Sequence, residues 1–144
     1  MTFFEKDTIV AMKVIIIDDS LTIRLMAEAY MEDFGLEEEE IFSFEDANEA
    51  LKFIKDTDKV EIIFTDMYMP KMDGFEFVEK LLAISKEYTS KLYIMSGEED
   101  YAKYREMKIL GATKFIKKPF TKERFGHTIR PVIAKIRKIE LSLM

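Results

Sequence analysis

Five short apolar runs divide the chain, and each is followed by a polar break and then by a stripe of helical spacing. Residues 14–17 read VIII, a β-branched run that predicts a strand buried on both faces. The run ends in Asp18-Asp19-Ser20, where Ser20 is placed to cap a helix and the two acids lie near the positive end of its dipole. Ile23, Met26, Ala27, Tyr30 and Phe34 then share one face; Gly35 supplies the stop and Leu36 the apolar contact that goes with it. Residues 41–44 predict a second, weaker strand. A helix capped by Asp46 follows, in a capping box with Glu49, with Ala47, Ala50, Leu51 and Ile54 at helical spacing. The run at 62–65 predicts the central strand, and Phe75, Val78, Leu81 and Leu82 mark the third helix. Residues 92–95 predict a fourth strand. Tyr101, Tyr104 and Met107, with Ile109 and Leu110 closing it, predict a fourth helix ending at Gly111, its two tyrosines either half-buried in packing or leaning toward solvent as a partner surface. Residues 114–116 predict a short fifth strand. Thr121 caps a last helix whose face is Phe125, Ile129, Val132, Ile133 and Ile136, and Pro131 inside it predicts a kink. Five βα units with short connections predict an α/β fold, a doubly wound five-stranded parallel sheet with helices on both faces.

At 144 residues the chain is sized for one domain. Residues 13–144 carry the pattern, and residues 1–12 read as an N-terminal extension, with Met12 an alternative first residue. The run of four glutamates at 37–40 reads as a solvated loop. A net charge of −6 argues against a nucleic-acid surface and against an anionic-membrane binder. No cysteine is present, which excludes disulfides, thiolate catalysis and zinc–sulfur sites. No apolar run approaches a membrane span, and residues 1–12 are too acidic for a signal peptide, so the expected address is cytoplasmic.

The stretch 62–74, IIFTDMYMPKMDG, organises the rest. An acid at the end of a buried strand is costly unless something compensates it. In an open parallel sheet that edge is also where ligands bind. Asp18 and Asp19 follow the first strand, Asp66 ends the third, Ser96 follows the fourth and Lys118 the fifth, so all five converge on one crevice. Three carboxylates there repel one another, each pair by about 4 kcal/mol at close range in a partly screened site. A divalent cation would resolve the repulsion, and carboxylates without His or Cys favour Mg²⁺. Asp66 is then a candidate carboxylate nucleophile for a phosphoryl group, with Mg²⁺ and Lys118 neutralising the transferred charge and Ser96 donating a hydrogen bond to it.

From Lys13 to about Lys138 the chain resembles the receiver domain of bacterial two-component response regulators. The likeness rests on four motifs in order: the acid pair Asp18-Asp19, Asp-x-x-x-Pro-x-x-Asp-Gly from Asp66 to Gly74, Ser96-Gly97, and Lys118-Pro119. It implies a flavodoxin-like, CheY-like (β/α)5 fold with strand order 2-1-3-4-5. It implies Asp66 as phospho-acceptor, and a Mg²⁺ held by Asp19, Asp66 and the Tyr68 backbone carbonyl, with Asp18 acting largely through metal-bound water. Lys118 would pair with the phosphoryl group, and Ser96 would swing toward it and draw Phe115 inward, reshaping the surface of the fourth helix, fifth strand and fifth helix. Tyr68 and Glu98 fall where family members tune dephosphorylation, and a large Tyr68 would shield the phospho-aspartate from water. The phosphodonor would be a sensor histidine kinase or a phosphotransfer protein, or a small acyl phosphate. The output would be a protein target, with a phosphorylation-linked homodimer also open. The spacing from Asp19 to Asp66 is slightly long for the family, the surplus falling at 37–40.

The resemblance describes a switch that phosphorylates itself from a donor and loses the group slowly, not a turnover enzyme. Three other readings stay open. The chain could be the receiver half of a longer DNA-binding or hybrid regulator. It could be an aspartate-nucleophile phosphatase of the haloacid dehalogenase type, although that family wants a second acid where Tyr68 stands. It could be a flavodoxin-like binding module, although Asp18-Asp19 would repel phosphate there. No P-loop motif is present.

Overall fold

A computed structural model describes residues 12–97, 101–112 and 114–142. The elements alternate as the pattern predicts. They are β1 (Lys13–Ile17), α1 (Leu21–Asp33), β2 (Ile41–Phe44), α2 (Ala47–Lys55), β3 (Val60–Asp66), α3 (Gly74–Ile84), β4 (Leu92–Ser96), α4 (Tyr101–Leu110), β5 (Phe115–Lys117) and α5 (Lys122–Ser142). Two 3₁₀ turns, Glu38–Glu40 and Lys86–Ser90, are additions to the expected set.

All five strands run parallel in the order β2-β1-β3-β4-β5. Alternate side chains of the central strands feed two cores, as a sheet covered on both sides requires. Ile15, Ile17, Ile63 and Ile94 pack with Phe77, Val78, Leu81 and Met107 on the α2–α3–α4 side. Val14, Ile16, Ile62, Phe64 and Met95 pack with Ala27, Met31, Phe125, Ile129 and Ile133 on the α1–α5 side. Met12, expected in the extension, is buried in the second core; the rest of the expected extension falls outside the described residues. Among the described residues no helix is long and apolar enough to cross a membrane.

The caps explain where the helices begin and end. Ser20 Oγ accepts the Ile23 amide at 3.3 Å, and Asp46 and Asp73 accept from Asn48 and Glu76, both at 2.8 Å. At the end of α1, Gly35 takes a φ of 104° that other residues rarely adopt. Its amide bonds Glu32 O at 3.0 Å and the Leu36 amide bonds Met31 O at 3.1 Å, the Schellman pair that closes a helix on a left-handed residue.

One expectation needs correction. The acidic run is not simply a solvated loop: Glu40 is 1 % exposed and forms a two-pronged ion pair with Arg137 of α5, at 2.6 and 2.9 Å. The run carries no sign of which carboxylate turns inward, because the partner lies 97 residues away. Ile109 and Leu110 close α4 before Gly111 as expected, with Ile109 84 % exposed. Of the two readings of Tyr104, half-buried packing holds, with the side chain turned inward as described below. Pro131 lies inside α5, which runs from Lys122 to Ser142.

Candidate functional site

The register of the sheet lines up the site. Ile17 pairs with Thr65, so Asp18 and Asp66 end neighbouring strands at the same level. Asp66 pairs with Met95 and Ser96 with Lys117, which carries the row across to Lys118. Chain reversal on either side of β1 places this row at the switch point of the sheet, where a crevice opens at the carboxyl ends.

Asp18 is fully buried and both its oxygens are engaged. Oδ1 accepts the Ser20 amide at 2.9 Å, and Oδ2 accepts Lys118 Nζ at 2.6 Å. Lys118 Nζ also lies 3.2 Å from Asp66 Oδ1, so one ammonium bridges two carboxylates. Part of the repulsion expected of three acids is thus met inside the protein. Asp19 is exposed, yet one carboxylate oxygen from each of Asp18, Asp19 and Asp66 lies within 4.8 Å of the others. Beside Asp19 a cleft of about 180 Å³ opens, walled by Asp46, Met69, Pro70 and Lys71.

Burial raises the Asp66 carboxyl above its ordinary pKa; Lys118 opposes the shift, Asp18 adds to it, and the Tyr68 amide opposes it. For Lys118, burial works to lower the pKa, but the bonds and charges of Asp18 and Asp66 outweigh it and leave the ammonium held above its ordinary value. Both directions describe one arrangement, a cation wedged between acids in a partly dry site.

Ser96 ends β4, 2 % exposed, and its carbonyl accepts the Lys118 amide at 2.7 Å. Its hydroxyl is turned to Tyr104 of α4, with the two oxygens 2.6 Å apart. Phe115 is half-buried and packs edge-on against the Tyr104 ring. Tyr68 is 48 % exposed at the mouth of the site. Glu98 lies outside the described residues. The structure therefore brings Asp18, Asp19, Asp66 and Lys118 together and sets Ser96 and Phe115 beside them through Tyr104.

Arg24 escaped the sequence reading. Its guanidinium donates to the Asp18 carbonyl at 2.7 Å and pins the turn that carries both acids. The available hint was a cation near the positive end of a helix dipole, a place it occupies only with an acceptor at hand.

Comparison with known proteins agrees with this geometry. Residues 14–130 match the model of the response regulator receiver domain. The chain belongs to that family. This receiver domain is 28% identical to protein PilG of Pseudomonas aeruginosa over 129 residues, covering 90% of this chain and 93% of that one. It is 27% identical to a probable chemotaxis protein CheY of Rhizobium etli, covering 87% of this chain and 95% of the relative. The crystal structure of chemotaxis response regulator CheY4 of Vibrio cholerae superposes with a TM-score of 0.72 at 32% identity, over 84% of this chain and 98% of that one. Receiver domains generally use Mg²⁺ at an acidic pocket, and this one carries an aspartate cluster there. They generally stand between a phosphodonor kinase and a downstream target.

Proposed function

We propose that this receiver domain is a phospho-acceptor switch centred on Asp66. The bridging of Asp18 and Asp66 by Lys118 carries the reading, because it puts the charge-neutralising cation 3.2 Å from the nucleophile and 2.6 Å from its neighbouring acid. An Asp66 carboxylate oxygen attacks the phosphorus of a phosphohistidine on a sensor kinase or phosphotransfer protein. The P–N bond breaks, its electron pair stays on the imidazole, which takes up a proton, and an acyl phosphate forms on Asp66. The donor set suits Mg²⁺, being all oxygen, with Asp19, Asp66 and the Tyr68 carbonyl as direct ligands. Asp18, whose oxygens are committed to Ser20 and Lys118, acts through water. Bound Mg²⁺ supplies positive charge against the oxygens of the transferring group. Lys118 moves from Asp66 to a phosphoryl oxygen, and Ser96 donates to another.

The added dianion biases a two-state surface. Ser96 and Phe115 connect the site to α4, β5 and α5, where a protein target or a second copy would dock. CheY relatives make a chemotaxis output the first to test. We place the domain, residues 13–144, in the cytoplasm, acting without direct nucleic-acid or membrane contact. Tyr68, with Glu98, sets the lifetime of the phosphoryl group, and its exposed ring shields the acyl phosphate from water.

Intact mass after exposure to acetyl phosphate or a histidine kinase tests this. One added phosphoryl group is expected with Mg²⁺, much less without it, and none in Asp66→Ala. In the same assay Tyr68→Asn should lose the group about tenfold faster, roughly 1.4 kcal/mol of barrier. An unchanged lifetime removes the shielding role. Phosphorylation of Asp66→Ala, or turnover of a phosphomonoester, overturns the switch.

A further inference from the structure

Tyr104 stands where two parts of the proposed switch meet. Its hydroxyl lies 2.6 Å from Ser96 Oγ and donates to the Gly97 carbonyl at 3.1 Å. Its ring meets Phe115 at a centroid distance of 4.8 Å and an interplanar angle of 76°, an edge-to-face contact. One side chain of α4 therefore touches the end of β4 and the start of β5 together.

Either hydroxyl can be the donor in the Ser96–Tyr104 contact. A phenol carries one proton, and a carbonyl only accepts. With the Tyr104 proton directed to Gly97, Ser96 is the donor in the 2.6 Å contact; with it directed to Ser96, the Ser96 oxygen is the acceptor, and in both arrangements Tyr104 holds the Ser96 hydroxyl. Ser96 also has one proton. As donor to Tyr104 it cannot serve a phosphoryl oxygen at once. Ser96 is nearly fully buried, where a hydroxyl that gives up one partner must find another.

We propose that Tyr104 is a positioning residue that holds Ser96 away from the phospho-site in the resting state, so that phosphorylation of Asp66 must take Ser96 from Tyr104 and unseat the Tyr104 ring from Phe115. This rests on the phospho-acceptor reading and adds a direct route to α4. The exchange of one hydroxyl's partner moves a helix residue, where Phe115 alone would move only a strand residue. Releasing the hold should favour the phosphorylated form, so the expected effect of losing the Tyr104 hydroxyl is a gain.

The test uses the full chain as wild type, Tyr104→Phe, Ser96→Ala and the double variant. Each is titrated with fluoroberyllate, a stable phosphoryl mimic, in the presence of Mg²⁺, and binding is read from amide shifts that also report folding. Tyr104→Phe keeps the ring and its contact with Phe115. It should bind about three- to tenfold more tightly than wild type, the size of one neutral hydrogen bond. Ser96→Ala should bind more weakly, and adding Tyr104→Phe to it should change nothing further. Equal or weaker binding by Tyr104→Phe overturns the hold, and so does an equal gain in the Ser96→Ala background, which would mean that Tyr104 acts elsewhere. A wild-type chain that takes up no mimic overturns the phospho-acceptor reading and the hold with it, an outcome distinct from a mimic that binds all four alike.

Discussion

Lys118 is the residue on which the resting site turns. Asp66 is strained by the same arrangement: burial first, then Asp18, keep its carboxyl above the ordinary 3.8 despite Lys118 and the Tyr68 amide. The folded chain therefore binds that proton more tightly than the unfolded chain does. A raised acid contributes most below 3.8, and its contribution is lost as pH rises through the folded value. Function keeps the ionised form at neutral pH against this loss. Asp66→Asn removes the penalty. In chelator-treated buffer at pH 7 it should unfold at higher urea than wild type, with the gap closing as pH falls through the folded pKa toward 3.8. Equal midpoints at pH 7, or a gap that widens in acid, would count against it. The residues of this site were legible because each polar one interrupts or ends an apolar run: Asp18, Asp66, Ser96 and Lys118 stand out by position. Tyr104 and Arg24 were not, because a hydroxyl or guanidinium shows its partner only when the side chain is in place.

Helix and strand boundaries were legible wherever a cap has its own chemistry, as at Ser20, Gly35, Asp46 and Thr121, whose Oγ1 accepts the Arg124 amide at 3.2 Å. The centres of helix faces were less so. Met31 and Phe77 are fully buried yet lay outside the expected stripes of α1 and α3, because a helix under a wide twisted sheet buries a broader band than its strongest periodicity. The loop from Asp66 to α3 is held shut at Gly74. Its amide bonds Met67 O at 2.8 Å, and a Cβ there would lie 2.8 Å from that oxygen and 2.9 Å from Met107 Cε. Met107 can give, but the carbonyl is backbone. Gly74→Ala should therefore push the loop off Met67, at a cost of about 2 kcal/mol in urea unfolding. It should also weaken Mg²⁺ binding, since that loop carries the Tyr68 carbonyl proposed above as a ligand. Wild-type values for both would show that the loop adjusts without effect.

At the scale of the whole molecule, alternation of strand and helix was enough to predict the parallel sheet, because short connections permit few other topologies. Long-range pairing of charges was not predictable. Glu40 and Arg137 join the entry to β2 with the far end of α5, and no local pattern marks either. The family match stops at residue 130, before Arg137. A chain ended there keeps all five strands and all four charged groups of the acidic pocket, yet it walls in Glu40 with its guanidinium gone. Removing one member of such a pair costs about 3 kcal/mol or more. Arg137→Ala should show a urea midpoint lowered to match, and the shortened chain, which also loses Ile133 from the α1–α5 core, a lower one still; an Arg137→Ala midpoint equal to wild type would show that Glu40 finds other company. The usable length of this domain thus runs past the family match, to a buried isoleucine and an ion pair that closes the fold from end to end, and homology alone would trim it too short.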